Sequence, residues 1–355
     1  MNITKEFRWF KLGCVGLIAA LLCVSGLATA QGPFDAFPDF IPFTGDLAVD
    51  KIGDVAFDKT GNVYVNVTAG GRVEIWEFSP DGEELFSTYI CEGSGYGLAL
   101  DANGDIYAAV AGTERGIYRL DRHGNVVLLP GTGQIVLANA LAFDQQGNLY
   151  VTESFSVTPE GYGQGGIWRI PKGGAAELML RDDLLTGNGS GNLGYPMGAN
   201  GVAFYHGDLY VANCEESLIL RIPIENNGDL GQPDIWRELD EVDGALPFLY
   251  QLFPIAAPDG IALDVFGNVY IAVVSRSAVV RINAEDLSQE TVAIFPSDPE
   301  NPLYTLLNTP NSIAFGTGKG LRKNLLVTNL GLFPVPQPGC GLVKIEAEAP
   351  GLPLP

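Results

Sequence analysis

The 355-residue chain carries 42 acidic residues against 20 basic ones, a net charge of −22. That balance repels phosphate backbones and anionic lipid, so nucleic-acid tracking is excluded and the acidity reads as solubility or attraction of cations. Hydrophobic residues make up 46% of the chain, enough for a core that does not lean on its five cysteines.

Residues 1–30 read as a leader. Lys5, Arg8 and Lys11 precede an apolar run from Leu12 to Leu27, and Ala28-Thr29-Ala30 offers a small-x-small cleavage site. The run falls short of the roughly twenty residues a spanning helix needs. The expectation is cleavage after Ala30 and a secreted or periplasmic protein without a stable membrane anchor. Cys14 and Cys23 leave with the leader, so Cys91, Cys214 and Cys340 allow at most one internal disulfide.

Residues 31–52 form an N-terminal segment, and from residue 53 one phrase repeats six times. Its clearest copy is Asp259-Gly260-Ile261-Ala262-Leu263-Asp264, a turn, then Asn268-Val269-Tyr270-Ile271. The other copies begin at Gly53, Tyr96, Asn139, Asn200 and Asn311. Each opens with a short apolar strand and returns through a Gly-Asn or Gly-Asp type turn, except the sixth, whose turn is longer (316–323). A third strand follows, as in Ile167-Trp168-Arg169-Ile170, and in five units a more polar fourth, as in Glu84 to Thr88. Period-two alternation throughout predicts an all-β fold, a six-bladed β-propeller of four-stranded blades over 53–346. The sixth unit lacks a fourth strand, and the segment around Phe40 to Val49 is expected to fill that place and close the ring. A Pro-rich tail, 347–355, ends the chain. Insertions at 155–165, 181–199, 240–258, 296–311 and 329–340 all belong to loops of one face, where function usually sits on a rigid scaffold.

On that face the first strands begin with Gly53, Tyr96, Asn139, Asn200, Asp259 and Asn311, converging on the central channel. Three Asn and one Asp around one axis offer oxygen ligands to a hard cation such as Ca²⁺. Asn and Asp before Gly also serve as turn residues, and it is their registration across blades that points to a site. The only histidines, His123 and His206, lie in turns elsewhere, which argues against zinc or copper.

Ala199-Asn200-Gly201-Val202-Ala203-Phe204 and Pro258-Asp259-Gly260-Ile261-Ala262-Leu263-Asp264 resemble blades four and five of the senescence marker protein/gluconolactonase (regucalcin-like) family, whose relatives include the paraoxonases and strictosidine synthase-like proteins. The resemblance implies a divalent metal, usually Ca²⁺, held by Asn139, Asn200 and Asp259, with Asn311 a further candidate from the ring. It also implies Asp259 as the catalytic base or water-activating group. Gly53 stands where the family carries a Glu ligand. Asp54 is adjacent but is expected to aim elsewhere; Glu92 and Glu153 are on the right face to lend a carboxylate.

The expected function is therefore an exported, calcium-dependent hydrolase of a lactone or other ester, acting as a monomer on a small and apolar substrate. Residues 244–255, an apolar insertion running into Asp259, are a candidate lid or simple packing over the blade tops. The alternatives are a non-catalytic ligand- or protein-binding propeller with a structural ion or none, and a metal-independent site of the strictosidine synthase-like kind.

Overall fold

A computed structural model describes residues 51–191, 195–242, 256–294, 307–318, 320–331 and 341–354. The leader, the segment expected to complete the sixth blade, Cys340 and the 244–255 insertion lie outside these residues.

The first blade is β1 (Lys51–Phe57), β2 (Val63–Ala69), β3 (Arg72–Phe78) and β4 (Glu84–Glu92). The second is β5 (Ser94–Leu100), β6 (Ile106–Ala111), β7 (Gly116–Leu120) and β8 (Val126–Leu128). The third runs β9 (Ala138–Phe143), β10 (Leu149–Glu153), β13 (Gly166–Ile170) and β14 (Glu177–Arg181), with the small hairpin β11 (Ser156–Thr158) and β12 (Gly161–Gly163) inserted between its second and third strands. The fourth is β15 (Ala199–Tyr205), β16 (Asp208–Asn213), β17 (Leu218–Pro223) and β18 (Asp234–Glu238). The fifth is β19 (Pro258–Leu263), β20 (Val269–Val273), β21 (Ala278–Ile282) and β22 (Gln289–Ile294). Of the sixth, β23 (Pro310–Phe315), β24 (Asn324–Asn329) and β25 (Leu342–Glu346) are described. Every pairing within the blades is antiparallel between neighbours in space, with the first strand of each blade at one edge. The protein is an all-β, six-bladed propeller.

Burial is what makes the ring. Apolar faces of adjacent blades interlock, so that Leu98, Leu100 and Ile106 of the second blade pack with Val73 and Ile75 of the first. The seam between the last and first blades is built the same way, from Leu326 and Leu342 against Ile52, Val55 and Val65. Aromatic edges cross the seams too, with Tyr107 and Phe143 5.0 Å apart and Tyr270 and Phe315 5.2 Å apart, both edge to face.

The turns at the far ends of the inner strands share one device. Asp264 accepts hydrogen bonds from the Phe266 and Asn268 amides at 2.9 and 3.0 Å and from Asn268 Nδ2 at 2.8 Å. Asp58, Asp101 and Asp144 receive the equivalent backbone bonds. Gly267 completes the turn at φ 85°, a conformation that glycine adopts without strain.

The tail is part of the fold. The Val265 amide donates to Pro350 O at 3.0 Å, the Gly351 amide to Arg322 O at 2.9 Å, and Gly351 bridges to Asp264. The loop around Gly187–Gly191 is tied down by buried Glu215, whose carboxylate accepts from the Gly189 amide at 2.5 Å and from the Gly191 amide at 3.0 Å. Asn66 is fully buried and donates to Tyr96 O at 3.2 Å. Cys91 and Cys214 are both free and buried.

Candidate functional site

All six inner strands carry a β-bulge at the residues that sequence singles out. The register shifts between Ile52 and Val55, Gly95 and Leu98, Ala199 and Val202, Pro258 and Ile261, and Pro310 and Ser312. In the third blade it shifts between the partners of Val151 and Glu153, which brackets Asn139. A bulge leaves its extra residue out of the ladder and re-aims its side chain, so Gly53, Tyr96, Asn139, Asn200, Asp259 and Asn311 occupy equivalent bulged positions. Glycine follows three of them because the inner strands nearly touch there. A Cβ on Gly201 would lie 2.1 Å from Asp259 O, and one on Gly260 would lie 2.6 Å from Ser312 Cα.

The ring members are spent differently. The Asn311 amide is a seam staple: its Nδ2 donates to Ile52 O at 3.0 Å and to Gly53 O, while its Oδ1 accepts from Thr328 Oγ1 at 3.0 Å. Asn139 Nδ2 donates to Ser154 Oγ at 3.0 Å and approaches Met197 Sδ at 3.8 Å. Asn200 hydrogen-bonds Asp259 and Cys214, yet its Oδ1 is buried without a partner among the described residues. An orphaned acceptor of this kind costs about 1–3 kcal/mol unless a donor or cation reaches it.

Asp259 keeps part of its surface open. Its carboxyl is pushed up to about 8, first by burial and then by the neighbouring Asp54 charge, against the opposing pull of Lys51 and the Asn200 hydrogen bond. Asp54 is pushed up to about 6 by burial. Its oxygens are engaged by the Leu98 amide at 2.7 Å, the Val55 amide at 2.7 Å and the Ser312 hydroxyl, so it ties the sixth, first and second blades together. Cys214 is pushed well up by burial and by the Asp259 and Glu215 charges.

Lys51 is the residue that sequence reasoning missed. It opens β1, is only 5% exposed, and its Nζ lies 3.1 Å from the centroid of the Tyr96 ring, a cation–π seat. Burial lowers its ammonium to about 7, with Asp259 opposing. No ion pair joins Lys51 to Asp259 among the described residues, although each charge acts on the other. The available signal was parity. With Gly53 bare, the next residue on the same strand face is Lys51. Gly53 is bare for a reason, since a Cβ there would sit 2.5 Å from Tyr96 O and 2.8 Å from Gly95 O.

Neither loop carboxylate compensates. Glu153 is fully buried in its own network, pairing with Arg181 at 2.6 Å and accepting from Trp168 Nε1 at 2.8 Å and the Val136 amide at 2.6 Å. Glu92 accepts from the Tyr89 hydroxyl at 3.0 Å on the exposed side. Among the described residues no three His, Cys, Asp or Glu side chains converge on a common point. Ca²⁺ takes six to eight oxygens and favours accumulated negative charge. Among the described residues Asp259, Asn200 and Asn139 are the side chains left to supply them, and Asp259 is the one uncommitted carboxylate. Among the described residues the donors of the ring do not fit a resident divalent ion.

No known family profile matches the chain, and no curated protein does. Solved structures do. A gluconolactonase from Xanthomonas campestris aligns over 85% of this chain and 88% of its own, with a TM-score of 0.56 and 18% identity. A calcium-binding protein, regucalcin, from Agrobacterium tumefaciens aligns over 86% and 94%, with a TM-score of 0.57 and 16% identity. The chain has the gluconolactonase–regucalcin propeller fold. An auxiliary nutrient binding protein from Bacteroides ovatus shares it as well, over 84% of this chain and 70% of that one, with a TM-score of 0.58 and 16% identity. The fold thus hosts hydrolysis and binding alike, and function has to be argued from the site.

Proposed function

We propose that the channel mouth hydrolyses a lactone or another ester of a small molecule, with Asp259 taking a proton from the attacking water. The observation that carries this reading is a partly open carboxylate on the ring at the channel mouth, raised to about 8 by its surroundings and hydrogen-bonded to an amide whose oxygen has no partner. A group that titrates near neutrality can accept a proton and return it. The gluconolactonase neighbour supports the reaction class. Calcium binding belongs to the regucalcin neighbour by its own description, and the donors in this ring do not favour it.

In this reading Asn200 orients Asp259 and offers its free Oδ1 to a hydroxyl of the substrate or to the attacking water, while Tyr96 and Met197 give the mouth apolar walls. The leader supports export, with Gln31 as the mature start; Edman sequencing of protein recovered from the medium or periplasm checks that point. The deciding experiment is a panel of lactones and aryl esters assayed with the wild-type protein and Asp259→Asn. Turnover that the variant loses is expected; a panel without turnover overturns the reading. The second reading, a binding propeller, is favoured by how much of the channel mouth is committed to seams, ring member Asn311 and the adjacent Asp54 above all. Retention of a ligand without conversion decides for it.

A further inference from the structure

We infer that Lys51 is the resident cation of this site: its ammonium, seated on the ring of Tyr96, which holds the bulge position equivalent to that of Asp259, takes the electrostatic role of a metal ion and receives the oxyanion of the bound ester. This rests on the ester-hydrolysis reading for its chemistry, though its ion-binding consequence stands apart from that reading.

Three observations converge on it. First, Lys51 is buried at the head of an inner strand, where an ammonium has a use only if something answers its charge. Among the described residues the charge that acts on it is that of Asp259, whose own neighbour Asp54 is already held by two backbone amides and a serine hydroxyl. Second, among the described residues no ion pair joins Lys51 to Asp259, and beside Asp259, where the Gly201 and Asp259 backbones nearly touch, the buried Asn200 Oδ1 has no partner. Third, Gly53 has no side chain and admits none, so the first blade contributes to the ring through Lys51.

The step balances without a metal. Water attacks the carbonyl carbon and loses a proton to the Asp259 carboxylate. The carbonyl electron pair moves onto oxygen, where the Lys51 ammonium stabilises it by charge and hydrogen bond. Collapse re-forms the C=O and breaks the acyl C–O bond. The departing alkoxide then takes the proton from Asp259, so that ester and water give acid and alcohol. In a lactone both products remain one molecule, a hydroxy acid.

The test uses the full chain. Wild-type protein is titrated with Ca²⁺ by calorimetry and melted in EDTA and in millimolar Ca²⁺. No saturable binding is expected, and a melting temperature that agrees between the two conditions to about 1 °C, because a ligand bound to the native state at a hundred times its Kd adds measurable stability. Saturable Ca²⁺ binding that Asp259→Asn abolishes overturns the inference. For activity, Lys51→Met keeps the stem and removes the charge; a loss of about a hundredfold or more in kcat/KM is expected, not restored by Ca²⁺, with Lys51→Arg retaining more than Lys51→Met. Wild-type rates in Lys51→Met overturn the inference. Should Lys51→Met fail to fold, Lys51→Gln takes its place, and the wild-type titration decides by itself. A substrate panel without turnover overturns the hydrolase reading while leaving the calcium result to judge the cation.

Discussion

Asp259 and Asp264 belong to the two ends of one inner strand, and the molecule uses them in opposite ways. Asp264 is fully buried, and backbone and side-chain donors of the following turn satisfy its oxygens. Asp259 sits in a bulge where no backbone amide of the described residues reaches it, and its surroundings favour its protonated form. A carboxylate inside a closed ring of donors is structure, whereas one left short of donors is poised for chemistry. The same contrast separates Glu153, paired and bonded on every side, from the ring at the mouth.

The largest test exchanges the two roles. Asp259→Asn should cut kcat/KM by about a hundredfold or more while moving the melting temperature near pH 4 little. Asp264→Ala should do the reverse, costing about 3 kcal/mol or more because two buried donors and a half-buried one lose their acceptor, with kcat/KM per folded molecule preserved. Parallel urea melts and steady-state assays read both. If Asp264→Ala abolishes activity in protein that remains folded, the division of labour fails.

A smaller effect is expected from Gly260→Ala, which drives a methyl into the Ser312 backbone. Overpacking of this kind costs typically about 1–3 kcal/mol, and the displaced bulge should lower activity by about tenfold through misplacement of Asp259. The pH dependence sharpens the same contrast. Asp259 holds its proton in the fold to about 8, whereas the unfolded chain releases it near the ordinary value of 3.8. The native state carries the extra proton across that window, so this group makes stability fall as pH rises through it. Asp54 adds the same sign up to about 6. Lys51 acts oppositely, losing its proton in the fold near 7 but in the unfolded chain near 10.5, so its contribution rises with pH and opposes Asp259 between 7 and 8. Melting curves from pH 4 to 7 should be flatter for Asp259→Asn than for the wild type. Least of all, Glu215→Gln should cost about 1 kcal/mol and raise the protease sensitivity of residues 187–191, with no change in kcat.

The repeat made the propeller legible because each blade restates the same strand, turn and strand, and that periodicity survives without any knowledge of contacts. The ring positions were legible for the same reason. What the repeat hides is the departure within a blade. Asn311 reads as the equal of Asn200, but only the seam shows that Ile52 and Gly53 claim its nitrogen. Lys51 precedes the first copy of the motif and so falls outside any comparison of copies. Its importance comes from Gly53, whose missing side chain is dictated by the carbonyls of the second blade. Likewise Glu153 looks available from its loop until Arg181, from the outermost strand, is seen beside it.

Residues 347–352 run back beneath the fifth and sixth blades, and Gly351 fits so closely that a Cβ would lie 2.2 Å from Phe315. The strap therefore has to lift before the turn at Asp264 or the ring of Phe315 is uncovered. Hydrogen exchange at the Val265 and Gly351 amides, both bonded across this contact, should consequently proceed no faster than the strap lifts, which makes their exchange rate a clock for local opening of the propeller.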